Sequence, residues 1–258
     1  MNSLKALSFA SCLLFFTQCD TLSQMATTNG TGTGTNPSTS GSTAGTSVTS
    51  SEISSGLKQA LSQGLDRSIK SLAVQDGFLG NAAVKILMPP EAQKVESTLR
   101  GIGLGSLCDN FIQSLNRAAE SAVSEAAPVF VSALSQLTIK DATNILLSGQ
   151  QDAATGFFKR TTTNELAKRF SPIVEGALGK HNVAKYWSDV VTRYNQIPLV
   201  NDKIETDLNK YVTQKAIDGL FHQVAQEELK IRDNLGGTRT TPLLQKVFGY
   251  ADENKSEI

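Results

Sequence analysis

The sequence predicts a mostly α fold: a single multi-helix domain of about eight or nine helices, by the spacing of its apolar residues. Three observations carry that expectation. From residue 51 onward the apolar residues recur at three- and four-residue steps. The breaks between those runs are of helix-start and helix-stop type, with Pro90 and Pro242 at openings and glycine or proline near ends. No convincing run of alternating strand residues occurs. A folded part of about 200 residues is within the normal size of one domain.

The N-terminus reads as an export leader. "MNSLKALSFASCLLFFTQCD" has one lysine, an apolar run from Ala6 to Phe16, then a cysteine. The run is shorter than the ~20 apolar residues of a bilayer span, and it suits the core of a signal peptide. "FTQC" resembles a loose bacterial lipoprotein box, with Gln18 where a small residue is usual. Residues 1–18 are therefore expected to be a lipoprotein signal, with Cys19 as the lipidated first residue of the mature chain. Two alternatives stand beside it: "FASC" ending at Cys12, which follows too short an apolar stretch, and a cleaved signal with no lipid.

Residues 19–50 are expected to be the lipidated cysteine and a disordered tether. From Ala26 to Ser50 there is no charge, and only Val48 is bulky and apolar. Such a stretch buries too little surface to offset its ordering entropy. As a flexible coil it reaches about 25–30 Å. Cys108 is left as the one thiol without an assigned role, so no internal disulfide framework is expected. It reads as a small buried hydrophobe.

The helical domain is expected over 51–249, followed by a polar tail at 250–258. Ile53, Leu57, Leu61, Leu65, Ile69 and Leu72 give the first helix, which stops before "QDGFLGN". "AVKILMPP" reads as extended, and Pro90 opens a helix with Ala92, Val95, Leu99 and Ile102 on one face. Gly101, Gly103 and Gly105 form a GxGxG string, but one that follows a helix, so it is a C-cap rather than a dinucleotide loop. A long alanine-rich helix follows over about 107–126, Pro128 interrupts it, and a further helical segment runs to about Gln136. "TIKD" at 138–141 is a capping box. Asp152 is expected to cap the next helix, with a kink or restart at Pro172. A helix about Ala184–Tyr194 carries Trp187, the longest helix is expected at about Glu205–Asp233, and Pro242 opens the last.

"DGFLGN", "NRAAESAV", "TIKDATNILLSG", "AATGFFKRTT", "YVTQKAIDGLF", "AQEELKIR" and "LLQKVFG" occur in an order that resembles the bacterial family catalogued as domain of unknown function 4197. The resemblance covers about residues 51 to 249. It implies a helical exported protein, often a lipoprotein, with no assigned activity and no catalytic residue to carry over.

Lysine plus arginine equals aspartate plus glutamate, 24 each, and no basic run occurs, so a nucleic-acid partner is not expected. His181 and His222 lack HExxH or Cys/His spacing, and no metal or cofactor is expected. What stands out is polarity on apolar helix faces. Glu228 falls inside the stripe formed by Ile217, Leu220, Phe221, Val224 and Ile231, between Ile217 and Phe221 at about 100° per residue. Arg232 is one turn on, with Asp218 on the flank, while Asn116, Arg117 and Glu120 share the "NRAAE" helix.

Three readings of Glu228 are open. It forms an ordinary exposed pair with Arg232; or it is buried and paired across helices, Arg117 being a candidate partner; or it lines a pocket. The expected function is a lipid-anchored, non-catalytic binding or structural module of the cell envelope. Its partners would be the membrane, through Cys19, and an envelope protein or apolar ligand. A carrier or chaperone for an apolar ligand, and an enzyme using a buried carboxylate, are the alternatives.

Overall fold

The computed structural model describes residues 47–196 and 206–254. The expected leader, Cys19 and the tether up to residue 46 lie outside the described residues. Within them the chain is helical: α1 Ser50–Leu72, α2 Gln93–Gly101, α3 Gly105–Val123, α4 Ala127–Gln136, α5 Ile139–Leu147, α6 Ala153–Lys180, α7 Val183–Asn195, α8 Leu208–Arg232 and α9 Pro242–Asn254. Single 3₁₀ turns at Pro90–Ala92 and Ser124–Ala126 lead into α2 and α4. Among the described residues no strand forms, and no single helix is long and apolar enough to cross a membrane.

Local chemistry explains the ends. Thr49 and Glu52 form a reciprocal capping box that starts α1 inside the expected tether. Thr138 and Asp141 do the same for α5, at the motif the sequence marks. Gly103, at φ +83°, ends α2 in a Schellman turn, with Leu104 N–H donating to Leu99 C=O at 2.8 Å and Gly103 N–H to Arg100 C=O at 3.2 Å. That turn swings Ile102, expected inward, into solvent at 56% exposure. Three further expectations are corrected. Helix α6 runs through Pro172 without restarting, and at 28 residues it, rather than α8 at 25, is the longest described helix. Helix α9 continues past 249 to Asn254 because Ala251 still faces the core.

Helix α8 is the centre of the packing, lying against α1, α3 and α6, while α1 also meets α5 and α9. Its stripe of Ile217, Leu220, Phe221, Val224 and Ile231 is buried as the spacing predicts. Phe130 of α4 meets Phe158 of α6 edge-on at 5.6 Å and Phe221 of α8 at 6.2 Å, joining three helices through aromatic contacts. Cys108 is fully buried, and burial pushes its thiol pKa up, as suits an inert core residue.

Residues 73–89 cross the helices as a strap. Val84, Ile86 and Met88 point inward while Lys85 and Leu87 point out, the alternation of an extended chain. Phe78 is fully buried against Gly219 of α8. A Cβ at position 219 would lie 2.6 Å from the Phe78 ring, so only glycine lets the strap approach this closely.

Candidate functional site

Glu228 is 5% exposed and its side chain is saturated. Oε1 accepts from Ala154 N–H at 2.9 Å and from Arg232 Nε at 2.9 Å, with Arg232 Nη2 also at 2.9 Å. Oε2 accepts from Thr155 N–H and Thr155 Oγ1, each at 2.8 Å. The first N–H groups of a helix have no partner within it and carry the positive end of its dipole. Glu228 therefore caps α6 from α8, more than 70 residues away in sequence. Asp152, the expected cap, stands at the right position but makes no side-chain capping bond.

Arg232 is 4% exposed and does the converse work at a helix C-terminus. Its Nη2 donates to Ile145 C=O at 2.8 Å and its Nη1 reaches Leu146 C=O at 3.4 Å, both in the last turn of α5. One buried ion pair thus holds a negative group at the positive end of α6 and a positive group at the negative end of α5. Arg117, the candidate cross-helix partner, is engaged elsewhere. Glu228 is buried, as the second reading expects, but its ion-pair partner is Arg232 one turn on in the same helix and not Arg117; the bonds that cross helices come from Ala154 and Thr155.

Two neighbours extend this arrangement, and neither stands out in the sequence. Glu227, also 5% exposed, accepts from Arg67 Nε of α1 at 2.6 Å and from Lys230 Nζ at 2.7 Å. Burial pushes its carboxyl pKa up, but the hydrogen bonds from Lys230 and Arg67 outweigh it and hold the value below the ordinary one. Arg239 donates to Ile231 C=O at 3.0 Å and to Arg232 C=O, so it covers the C-terminus of α8. It also pairs with Asp252 of α9 at 2.5 Å and lies over the Phe248 ring.

The "NRAAE" residues form a separate group on α3 that fastens the strap. Asn116 accepts from Ile86 N–H at 2.9 Å and donates to Ile86 C=O at 2.8 Å, pairing with an extended residue as a neighbouring strand would. Glu120 accepts from Phe78 N–H at 3.2 Å and from Arg117 Nη1 at 2.7 Å. Arg117 reaches Asp76 with Nη2 at 2.7 Å. Asp76 itself has φ +66°, a conformation that aspartate tolerates better than most side chains. Asp218 belongs to neither group; it is exposed and accepts from Gln214 at 2.9 Å, beside His222 on the outer face of α8.

The six singled-out polar residues therefore divide into two structural fasteners and one surface acid. Among the described residues, no group of three or more His, Cys, Asp or Glu is arranged to hold a metal ion. The void beside Glu228, between Leu57, Ala60, Leu61, Ile231 and Phe248, is about 10 Å³, the space of roughly one water. The larger concave surfaces lie outside both fasteners. One, of about 500 Å³, is an open groove between α4 and α6, with Pro128, Val129 and Ala133 on one wall and Phe157 and Thr161 on the other. Glu165 and Arg169, paired at 3.2 Å, close one end.

A family model with the description "Protein of unknown function (DUF4197)" matches residues 47–249. No curated protein matches, and no solved structure does.

Proposed function

The chain belongs to this family of unknown function, and from that premise we propose that it is a lipid-anchored cell-envelope protein whose helical domain is a non-catalytic binding or structural module. The observation that carries the reading is the state of the buried carboxylates. Glu228, Glu120 and Glu227, the acids best hidden from water, have their oxygens taken up by the chain's own helix ends, strap, arginines and a lysine. A general acid or base needs a proton path to a substrate within hydrogen-bond reach, and these groups face protein on every side. The anchor rests on the leader and on Cys19 in "FTQC". The groove between α4 and α6 is the surface where such a module would meet a partner. A carrier for an apolar ligand would need an enclosed cavity of several hundred Å³, far above the roughly 10 Å³ beside Glu228.

Two measurements test the two halves. Mass spectrometry of the protein from bacterial membranes should find diacylglycerol on an N-terminal Cys19; a mature chain starting elsewhere without lipid would remove the anchor. A photo-crosslinker placed in cells at Gln136, in the groove, should give a discrete adduct that the same group at Lys70 on α1 does not. Identical labelling at both positions, or none at either, would speak against the groove.

A further inference from the structure

Two kinds of helical glycine in this domain differ in what a side chain would meet. Gly56 of α1 faces Val247 of α9, where a Cβ would lie 2.8 Å from a Val247 methyl, and Gly219 faces Phe78. Packing requires both. Gly176 and Gly179 sit in the last turns of α6, exposed, and a Cβ at either would meet nothing within 4 Å. Glycine in a helix interior costs about 1 kcal/mol relative to alanine. Here nothing in the packing offsets that cost. Pro172, which lacks the N–H for the helical bond, stands four residues before Gly176 in the same helix. Three helix-weakening residues thus fall within the last turns of α6, two of them at places where the fold would accept alanine.

The fastening changes at the same point. Ser171, immediately before the proline, is clasped to α8: Asn209 Nδ2 donates to Ser171 C=O at 3.0 Å, and Ser171 Oγ donates to Asn209 Oδ1 at 2.9 Å. Beyond Pro172 the chain is held by apolar contact, through Val174, Ala177, Val183, Val190 and Tyr194, and by α7 against α2 and α3, where Trp187 lies tilted against Phe111 at 5.0 Å. The junction of α6 and α7 turns on Asn182 at φ +55°, with no side-chain cap for α7.

We propose that residues 172–195 form a flap hinged at Pro172, which opens by melting the glycine-weakened turns of α6 and lifting α7 off α2 and α3 while the rest of the domain stays folded. Opening uncovers Phe111 and the apolar side of α3 beneath it, a surface separate from the groove between α4 and α6. Local opening of this kind is a sub-global unfolding with its own, lower free energy.

Native-state hydrogen exchange of the full-length protein in increasing urea tests it. Amides of 173–195 should exchange through a reaction with shallow urea dependence, while those of α8 and α3 follow the steep dependence of global unfolding. Gly176→Ala with Gly179→Ala should slow exchange in 173–195 about fivefold per glycine, about 25-fold together, from the helix propensity difference. Both substitutions favour the helix, so the variant folds. A 173–195 isotherm that coincides with that of α8 in wild type at all urea concentrations would overturn the proposal, as would unchanged exchange in the double variant.

Discussion

A carboxylate inside an apolar stripe loses several kcal/mol of hydration unless its charge and lone pairs are met inside the protein. Glu228 meets them with two backbone N–H groups, a hydroxyl and a guanidinium. Glu228→Leu strands Arg232 and uncaps α6 at once, and should cost about 3–5 kcal/mol in urea unfolding. Adding Arg232→Met removes the stranded charge, so the double variant should be less destabilised than the sum of the singles. Additive losses would mean the two side chains act independently. Asn116→Ala leaves the Ile86 N–H and C=O buried without partners and should cost about 1–3 kcal/mol. The helix wheel flagged Glu228 as anomalous, and the spacing allowed Arg232. Nothing in the sequence could reveal that the other partners are the ends of α5 and α6, since those contacts span more than 70 residues. Glu227 escaped notice because an acid at the edge of a stripe is ordinary, and only the arrival of Arg67 from α1 makes it a fastener.

At the scale of elements, most helices were legible because apolar spacing is a local signal. The ends were less so. "TSSE" at 49–52 fits the same capping pattern as "TIKD", but it lies in a Ser/Thr-rich stretch that reads as tether, so α1 starts earlier than its apolar residues indicate. Pro172 illustrates the opposite error: the local rule predicts a break, while burial of Phe170, Val174 and Ala177 on one side of α6 keeps the helix going. The strap is extended as expected, but its docking depends on Gly219, a helical glycine with no local meaning. Gly219→Ala should force Phe78 or α8 to shift and cost about 1–3 kcal/mol by thermal or urea unfolding. Gly249→Ala on α9, where a Cβ meets nothing within 4 Å, should be neutral or stabilising by up to about 1 kcal/mol. Equal effects at the two positions would contradict the close approach of strap and α8.

For the molecule as a whole, the shifted groups predict how stability responds to acid. Glu52 is hydrogen-bonded by Lys246 and then by the Thr49 N–H and hydroxyl, which lower its pKa from 4.5 to about 2. Its folded value lies below its unfolded one, so its contribution is complete above about 4.5 and is lost as pH falls through about 2. His181 is lowered from 6.5 by burial and then by Lys180 and Arg117, against the pull of Glu120. The unfolded chain therefore takes up that proton first, and stability should begin to fall as pH drops below 6.5. A plot of Tm against pH should decline in two stages. His181→Gln should flatten the upper stage and Glu52→Gln should shrink the lower one, to which Glu227 and Asp141, also lowered, contribute the rest; a profile level from pH 7 to 5 in wild type would refute the His181 assignment.

The ion pair between Glu52 and Lys246, at 2.6 Å, and the notch where Gly56 receives Val247 join the first described helix to the last. That closure has a consequence for how the protein is made. A ribosome delivers α1 nearly 200 residues before α9, and the ends of α5 and α6 wait more than 70 residues for Glu228 and Arg232. A growing chain therefore carries uncapped ends on α5 and α6 until α8 emerges, and an unsealed α1 until α9 does. Folding of this domain should therefore be a late event in synthesis, and a chain cut short before residue 242 should remain a substrate for proteases rather than settle into a smaller stable form.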